Sequence, residues 1–289
     1  MSVEPRSWLF IPGDSEKKLA KAAQCGADAV IIDLEDSVAA SAKADARAMA
    51  SGYLASASAD GPALWVRINP LGSPECLADV AAIVAHSPSG LVLPKCEGPE
   101  DVERLGDLIA KAGGGEEIAI HAIATETPRA VFRLSGFAEK SVQRLAALSW
   151  GAEDLAAAIG ASGNRHADGS FHDLFRQART MALLAARAAG VQPVDTLHAD
   201  FRDEEGLRHS SVRARAEGFT GRLAIHPAQV AIINKAFMPT AEEIDWAGRI
   251  VAAFAESPDA GTIGIEGKMI DRPHLDQATK LLARAAAFN

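Results

Sequence analysis

Short apolar runs in this chain end, again and again, in ionisable residues. Asp33-Leu34-Glu35-Asp36 closes one run and Arg67-Ile68-Asn69 the next. Lys95-Cys96-Glu97, Glu126-Thr127, Gly151-Ala152-Glu153-Asp154 and His226-Pro227 close four more. Carboxylates outnumber cations among them. Acids gathered on one narrow ring repel each other strongly unless a cation sits between them. Oxygen donors with few histidines suit a hard ion, Mg²⁺ or Mn²⁺, and Mg²⁺ usually takes one or two carboxylates and keeps waters. Glu126 and Asp154 are the expected metal ligands. By strand alternation Glu126 shares a face with the small Ala122 and Ala124, and Asp154 lies in a Gly-led turn. Glu35 and Asp36 are expected to accept hydrogen bonds from the metal's waters. Any one of these acids alone is equally at home as a solvated loop residue; the joint pattern carries the reading.

Arg67 follows Trp65 and Val66 on an otherwise apolar run, so its guanidinium needs an anion. That anion is either a substrate carboxylate gripped by the guanidinium fork or one of the nearby acids in a structural ion pair. Lys95 poses the same choice. Arg6 precedes the first run, so it begins on the opposite face and reaches a ligand only if that strand is short. Asp271, in Gly267-Lys268-Met269-Ile270-Asp271-Arg272-Pro273, has the position of a helix N-cap two residues before a proline.

Other chemistries find little support. There is no H-E-x-x-H for zinc and no G-x-S-x-G for a serine nucleophile, and Cys25 and Cys96 lack a neighbouring base. His121, mid-run, is expected to be a satisfied core histidine. His166 and His172 flank an irregular stretch over residues 160–170, expected to be a surface loop or lid. His226 is expected to fix the turn into the following helix.

The ends of such runs converge only if the runs are parallel strands of one sheet. Runs over 7–12, 29–35, 63–69, 91–95, 118–126, 145–150, 194–198 and 223–226 alternate with Ala-rich amphipathic stretches, which points to βα units. Eight such units fit a closed (β/α)8 TIM barrel, typically about 250 residues, whose catalytic face lies at the C-terminal ends of its strands. An open doubly wound sheet would normally carry G-x-G-x-x-G at its first turn, and Pro12-Gly13-Asp14-Ser15 is not that motif. The barrel is expected over residues 1–238. A C-terminal helical extension is expected over 239–289: a helix over 240–256 with Thr240 and Glu243 in capping-box spacing, a Gly-punctuated turn over 261–267, and a last helix over 272–287.

In 289 residues, 29 Lys and Arg face 38 Asp and Glu, a net charge of −9. That balance argues against nucleic acid or an anionic membrane as the main partner. Three scattered cysteines make no disulfide framework. The N-terminus lacks a secretory pattern and no run approaches the roughly 18 apolar residues of a membrane span. A soluble, cytoplasmic protein is expected.

At these residues the sequence resembles the HpcH/HpaI aldolase/citrate lyase β-subunit family, and within it the CitE-like, malyl-CoA and citramalyl-CoA lyase branch. The segments that carry the resemblance are residues 6–38, WVRINP (65–70), LVLPKCE (91–97), ATETPRAV (124–131), WGAEDLAAAIG (150–160), residues 218–237 and GKMIDRPH (267–274). They span nearly the whole chain in the family's order. The resemblance implies a (β/α)8 barrel assembled as a homotrimer or a hexamer, binding Mg²⁺ and an acyl-CoA. It implies Glu126 and Asp154 as metal ligands, Glu35 and Asp36 as the acids behind the metal's waters, and Arg67 as the grip on a 2-keto acid carboxylate. Asp271 matches a catalytic acid that reaches into a neighbouring subunit's site, on an extension that packs against that neighbour. Arg6 and Lys95 match basic positions near the CoA phosphates or the rim of the site. The implied reaction is reversible cleavage of a 3-hydroxyacyl-CoA to glyoxylate or pyruvate and an acyl-CoA. The alternatives are a malyl-CoA thioesterase, a CoA-free 2-keto acid aldolase and a non-catalytic acyl-binding subunit. Ala130, Trp150 and Arg222 depart from the family's usual residues, and Trp150 is expected to narrow the pocket.

Overall fold

A computed structural model describes residues 3–58 and 60–288. The chain runs β1 (Ser7–Pro12), α1 (Glu16–Leu19), β2 (Ala29–Asp33), α2 (Lys43–Ser56), β3 (Ala63–Arg67), α3 (Cys76–Val84), β4 (Gly90–Leu93), α4 (Pro99–Lys111) and β5 (Ala119–Ile123). It continues through α5 (Pro128–Arg133), α6 (Gly136–Glu139), β6 (Leu145–Ser149), α7 (Ala152–Ile159), α8 (Asp173–Ala188), β7 (Gln192–Asp195), α9 (Glu204–Glu217), β8 (Gly221–Ala224) and α10 (Pro227–Ala236). Strands β1 to β8 pair in chain order, and β8 pairs back onto β1 to close a parallel barrel. This is the (β/α)8 fold expected from the alternation.

Strands covered on both faces read as near-continuous apolar runs, as in AVII and GLVL. Ile31, Trp65, Val92, Ile123, Ala147, Val194 and Leu223 fill the barrel interior around Trp8. Trp8 meets Trp65 edge-on at 5.0 Å between ring centres. Each such indole buries on the order of 200 Å², a gross gain of about 5 kcal/mol. Trp65 dictates its neighbour: a β-carbon on Gly90 would overlap the indole and the Ala119 carbonyl oxygen. His121 is a core histidine, its ring 4.7 Å from that of Trp8. It is not a satisfied one, because neither ring nitrogen has a hydrogen-bond partner. Burial pushes its pKa down to about 3, so the ring is neutral.

Most of the strands stop two or three residues before the apolar pattern does. Leu34, Ile68, Ala124 and Thr125 all lie past the last ladder residue yet remain fully buried at the barrel mouth. The polar residues at the run ends therefore sit on loops. In β5 the residues facing the interior are His121 and Ile123, so Ala122 and Ala124 face the surrounding helices. Alternation does not aim Glu126; the turn after the strand does.

The chain divides into two compact units, one of residues 4–234 and one that joins Val3 to the residues from Lys235 onward. The second unit contains α11 (Ala241–Glu256), β9 (Thr262–Ile265), β10 (Lys268–Asp271) and α12 (Arg272–Ala287). Thr240 and Glu243 form the expected capping box, each side chain bonding the other's backbone N–H at 3.2 and 2.7 Å. The Gly-rich stretch is more than a turn. It is an antiparallel hairpin whose two-residue loop, Glu266-Gly267, has φ of +50° and +76°, the sign a tight twisted hairpin requires. Ala247, Ile250, Phe254, Ile270 and Ala278 form this unit's own core. Among the described residues no helix is long and apolar enough to cross a membrane.

Candidate active site

The ends of β2, β3, β4, β5 and β6 bring most of the expected residues together. At the centre is one that motif reading passed over, Asp33. It is the last residue of β2 and stands in register with Arg67, the last residue of β3. Its carboxylate accepts Arg67 Nε and a terminal guanidinium nitrogen, each at 2.7 Å. It also accepts the backbone N–H groups of Glu35 at 2.9 Å and Ser37 at 3.1 Å, which folds the chain after β2 into a tight turn. Burial alone would raise the Asp33 carboxyl, but the Arg67 guanidinium holds it below the ordinary range. The signal was present in the sequence, as the first acid of IIDLED beside an arginine on the following strand.

The same turn aims Glu35 at two cations. Its Oε2 lies 2.9 Å from the other terminal nitrogen of Arg67, and its Oε1 pairs with Lys95 Nζ. Arg67 is thus tied to acids on two sides in this structure, and its guanidinium packs 4.8 Å over the Phe10 ring. Of its five N–H groups, Asp33 takes two and Glu35 lies against a third. The remaining two belong to the terminal nitrogens, the pair that forms a bidentate fork.

Lys95 adopts φ +51°, a left-handed conformation uncommon outside glycine. This turn points its backbone N–H at Glu126 Oε2 while its ammonium lies 3.6 Å from Asp36 and 3.5 Å from Asp154. Glu126 follows β5 and precedes Thr127, which N-caps α5 by accepting Ala130 N–H at 3.1 Å. Asp154 lies in the first turn of α7, where negative charge is favoured. Gly151, its N-cap, is pinned by Thr125 Oγ1 at 3.1 Å, and a β-carbon there would lie 2.7 Å from Glu126 Cγ.

Charge is unbalanced here. Arg67 and Lys95 face Asp33, Glu35, Asp36, Glu126 and Asp154, a formal excess of three negative charges. Burial, then the Asp154 charge, pushes Glu126 up to about 8, and burial raises Glu35 as well. Glu35 is already paired with Arg67 and Lys95, whereas Glu126 is short of positive charge. Oxygen donors in that condition fit a hard divalent cation. Among the described residues no three His, Cys, Asp or Glu side chains converge to hold a metal by themselves. Glu126 and Asp154 would hold an ion as a pair, leaving its other positions to water and ligand oxygens. Covalent catalysis by Cys96 finds no support, since burial pushes its thiol up to about 12.

Two expectations change, for Arg6 and Trp150. Arg6 does not join the cluster: it sits at the N-terminal end of β1, where Asp28 accepts its backbone N–H, Nε and a terminal nitrogen at 2.7, 2.8 and 2.9 Å. The six residues of β1, at about 3.3 Å each, separate it from the catalytic face. Trp150 does not narrow the site; its Nε1 donates to Asp195 at 2.7 Å and its ring meets Phe171 edge-on, toward β7 and α8. The 160–170 loop carries a short bridge, Arg165 to Phe171, and packs Phe171 on Trp150. Asp271 belongs to the second unit and is the N-cap residue of α12, paired with the ring of His274.

The family model of HpcH/HpaI aldolase/citrate lyase matches residues 6–227. A citrate lyase subunit beta-like protein of Mycobacterium tuberculosis is 36% identical over 280 residues, covering 96% of this chain and 94% of that one. The mitochondrial citramalyl-CoA lyase of Rattus norvegicus is 33% identical over 300 residues, with 99% and 87% covered. A (3S)-malyl-CoA thioesterase of Cereibacter sphaeroides is 35% identical over 285 residues, with 98% and 95% covered. The crystal structure of CitE from Mycobacterium tuberculosis, in complex with magnesium, acetoacetate and coenzyme A, superposes with a TM-score of 0.84 at 35% identity over 99% of both chains. With a barrel, an acid-rich strand-end cluster and relatives matching along almost its full length, the chain belongs to the HpcH/HpaI aldolase/citrate lyase family.

Proposed function

We propose that this protein is a Mg²⁺-dependent carbon–carbon lyase. Its substrate would be a 3-hydroxyacyl-CoA thioester of the malyl-, methylmalyl- or citramalyl-CoA type, split reversibly into glyoxylate or pyruvate and an acyl-CoA. The observation that carries this reading is the strand-end cluster itself, five carboxylates against two cations at the mouth of the barrel, with Asp33, Glu35 and Glu126 buried. The citramalyl-CoA lyase relative and the magnesium and coenzyme A bound by the structural neighbour support it.

Glu126 and Asp154 would hold the ion, with Glu35 and Asp36 as hydrogen-bond acceptors beside it. Bound there, Mg²⁺ supplies Lewis-acid stabilisation of the hydroxyl and carboxylate oxygens as the keto acid forms. Arg67, its Nε edge held by Asp33, turns its two remaining N–H groups to the substrate carboxylate. Lys95 adds positive charge at the rim. In the cleavage direction the hydroxyl gives its proton to water at the open mouth of the site, the C–C bond breaks with its electron pair passing to the α-carbon of the acyl-CoA, and the resulting enolate takes up a proton at that carbon. Asp271 of a neighbouring subunit is assigned that proton transfer. The His274 hydrogen bond holds its carboxyl below the ordinary range, ionised as a base must be in the condensation direction, so in cleavage it relays a proton taken up from solvent. The C-terminal extension would bring it there by packing on the neighbour in a trimer or hexamer.

Incubation with a panel of hydroxyacyl-CoA thioesters and Mg²⁺, following keto-acid release, tests the reaction. EDTA should abolish release and added Mg²⁺ restore it; full activity in the stripped protein contradicts the proposal. Asp271→Asn should lower turnover by about 10²–10⁴-fold with assembly intact by light scattering. Wild-type turnover in that variant removes Asp271 from the mechanism. The malyl-CoA thioesterase relative motivates a second reading, hydrolysis, which free malate in place of glyoxylate would reveal.

A further inference from the structure

Outside the acid cluster, the barrel unit carries a second concentration of charge, of the opposite sign. A cavity of ≈ 520 Å³ opens between the 160–172 loop, the end of β7, and helices α8 and α9. Five arginines line it, Arg165, Arg176, Arg179, Arg213 and Arg222, against three carboxylates, Asp168, Asp195 and Asp203. Three of the arginines have close carboxylate partners. Arg176 pairs with Asp173 at 3.2 Å and Arg213 with Glu217 at 2.8 Å, while Arg179 pairs with Asp195 at 3.0 Å and with Glu217.

Among the described residues Arg165 has none within ion-pair distance, and Arg222 has only a long contact of 4.0 Å to Asp195. Arg222 stands on β8, facing the helices, and is only 1% exposed. Its nearest acid, Asp195, is 4.0 Å away and is already engaged by Arg179, Trp150 Nε1 and the Thr196 N–H. One terminal nitrogen of Arg222 rests on the hydroxyls of Ser210 and Ser211 at 3.0 and 3.1 Å, and its Nε has no hydrogen-bond partner. Arg165 donates to the Gly169 carbonyl at 2.7 Å and lies 3.7 Å over the Phe171 ring, and among the described residues no carboxylate comes within ion-pair distance of it. Burial draws both guanidinium groups below the ordinary arginine range, and the charges of Arg179 and Arg165 add to the positive potential at Arg222.

Leaving a buried charge without a partner is costly, and a buried guanidinium is normally matched by a carboxylate or a phosphate. Here Arg179, Arg222 and Arg165 gather about one buried carboxylate, Asp195, which lies 3.0 Å from Arg179, 4.0 Å from Arg222 and beyond ion-pair distance of Arg165. They enter from three elements, the loop, α8 and β8. A planar carboxylate engages a single fork; an anion with three terminal oxygens can meet donors arriving from several directions. The cavity is several times the size of one phosphate, leaving space for an organic group beside Phe171.

We infer that this cavity is an anion site for a phosphate monoester, held chiefly by Arg165 and Arg222 with Arg179 beside them. The phosphate could come from the CoA end of the thioester substrate, an arm that rests on the function proposed above, or from a separate phosphorylated metabolite.

Calorimetric titration of the full-length, Mg²⁺-supplied protein with inorganic phosphate and with adenosine 3′,5′-bisphosphate tests the inference without requiring turnover. The wild type should bind at least one probe saturably, and Arg222→Met and Arg165→Gln should each weaken it tenfold or more. Arg222→Met keeps volume in the core, and Arg165→Gln lies on a loop, so a folding defect in one leaves the other informative; melting curves check both. Titration with CoA and dephospho-CoA separates the sources. Weakened CoA binding in both variants, matched by wild-type dephospho-CoA, places the substrate's phosphate here. Unchanged CoA binding with lost binding of the phosphate probes places a separate ligand here. No saturable binding of either probe to the wild type, or equal binding to both variants, overturns the inference.

Discussion

Replacing Asp33 by Asn isolates the contact on which the arrangement of the site turns. The substitution keeps the shape and leaves one oxygen to accept Arg67 Nε. It sets an amide NH₂ against the guanidinium nitrogen and the Ser37 N–H that the second oxygen served at 2.7 and 3.1 Å. The side chains of Asp33 and Arg67 are 2% and 12% exposed, so solvent screens little of what is lost. Breaking one partner out of such a buried pair costs about 3–5 kcal/mol. At about 2–4 °C per kcal/mol for a domain of this size, melting should fall by on the order of 10 °C. Urea unfolding of the wild type, Asp33→Asn, Arg67→Met and the double variant, all in EDTA, measures the coupling. The double variant should be more stable than the summed single losses allow, by about 2 kcal/mol or more. In activity, a guanidinium freed to move by about 1 Å should cost on the order of 10²-fold in kcat/KM. Additive stabilities, or a loss below about 1 kcal/mol in Asp33→Asn, would show that Arg67 is not held by this carboxylate.

Gly151→Ala should displace Glu126, whose Cγ lies 2.7 Å from the added methyl position, and weaken Mg²⁺ binding by about tenfold or more; unchanged metal affinity by calorimetry would show that Glu126 does not bind the ion. Metal-free, Glu126 titrates at about 8 in the folded state, against about 4.3 unfolded. A raised carboxyl pKa stabilises the fold fully below the unfolded value, and that contribution drains away as pH rises and is gone above 8. EDTA-treated protein should therefore lose stability between about pH 4.3 and 8, and Mg²⁺ binding at pH 7 should release protons; titrations in two buffers of different ionisation enthalpy that agree would refute this. Gly90→Ala should destabilise the barrel by about 3 kcal/mol or more, since its methyl overlaps Trp65 and the Ala119 carbonyl, and a smaller loss on urea unfolding would mean that the interior repacks around it.

The departures from sequence reading have separate physical causes. Strand ends were placed too late because Leu34, Ile68 and Ala124 are buried beyond the last ladder residue. Period-two alternation, extended across that false end, gave Glu126 the wrong face of β5. The hairpin of β9 and β10 escaped notice because its strands are four residues each and half exposed, too short for a period to register. The nature of Arg67's partner also lay beyond reach, since both an acid and a substrate carboxylate satisfy the same requirement.

What the chain determined by itself was the alternation of apolar runs with amphipathic helices, the position of ionisable residues just past each run, and local devices such as the Thr240 capping box. Those depend on neighbours within a few residues, and their signals survive in one dimension. Tertiary structure decided the rest. Asp33 and Arg67 meet because β2 and β3 pair in one register, and Lys95 enters the carboxylate ring because its backbone turns left-handed. Five arginines from four segments surround one cavity only once the barrel has closed. Electrostatic energy depends on distance and burial, and both are set by contacts between residues far apart in the chain.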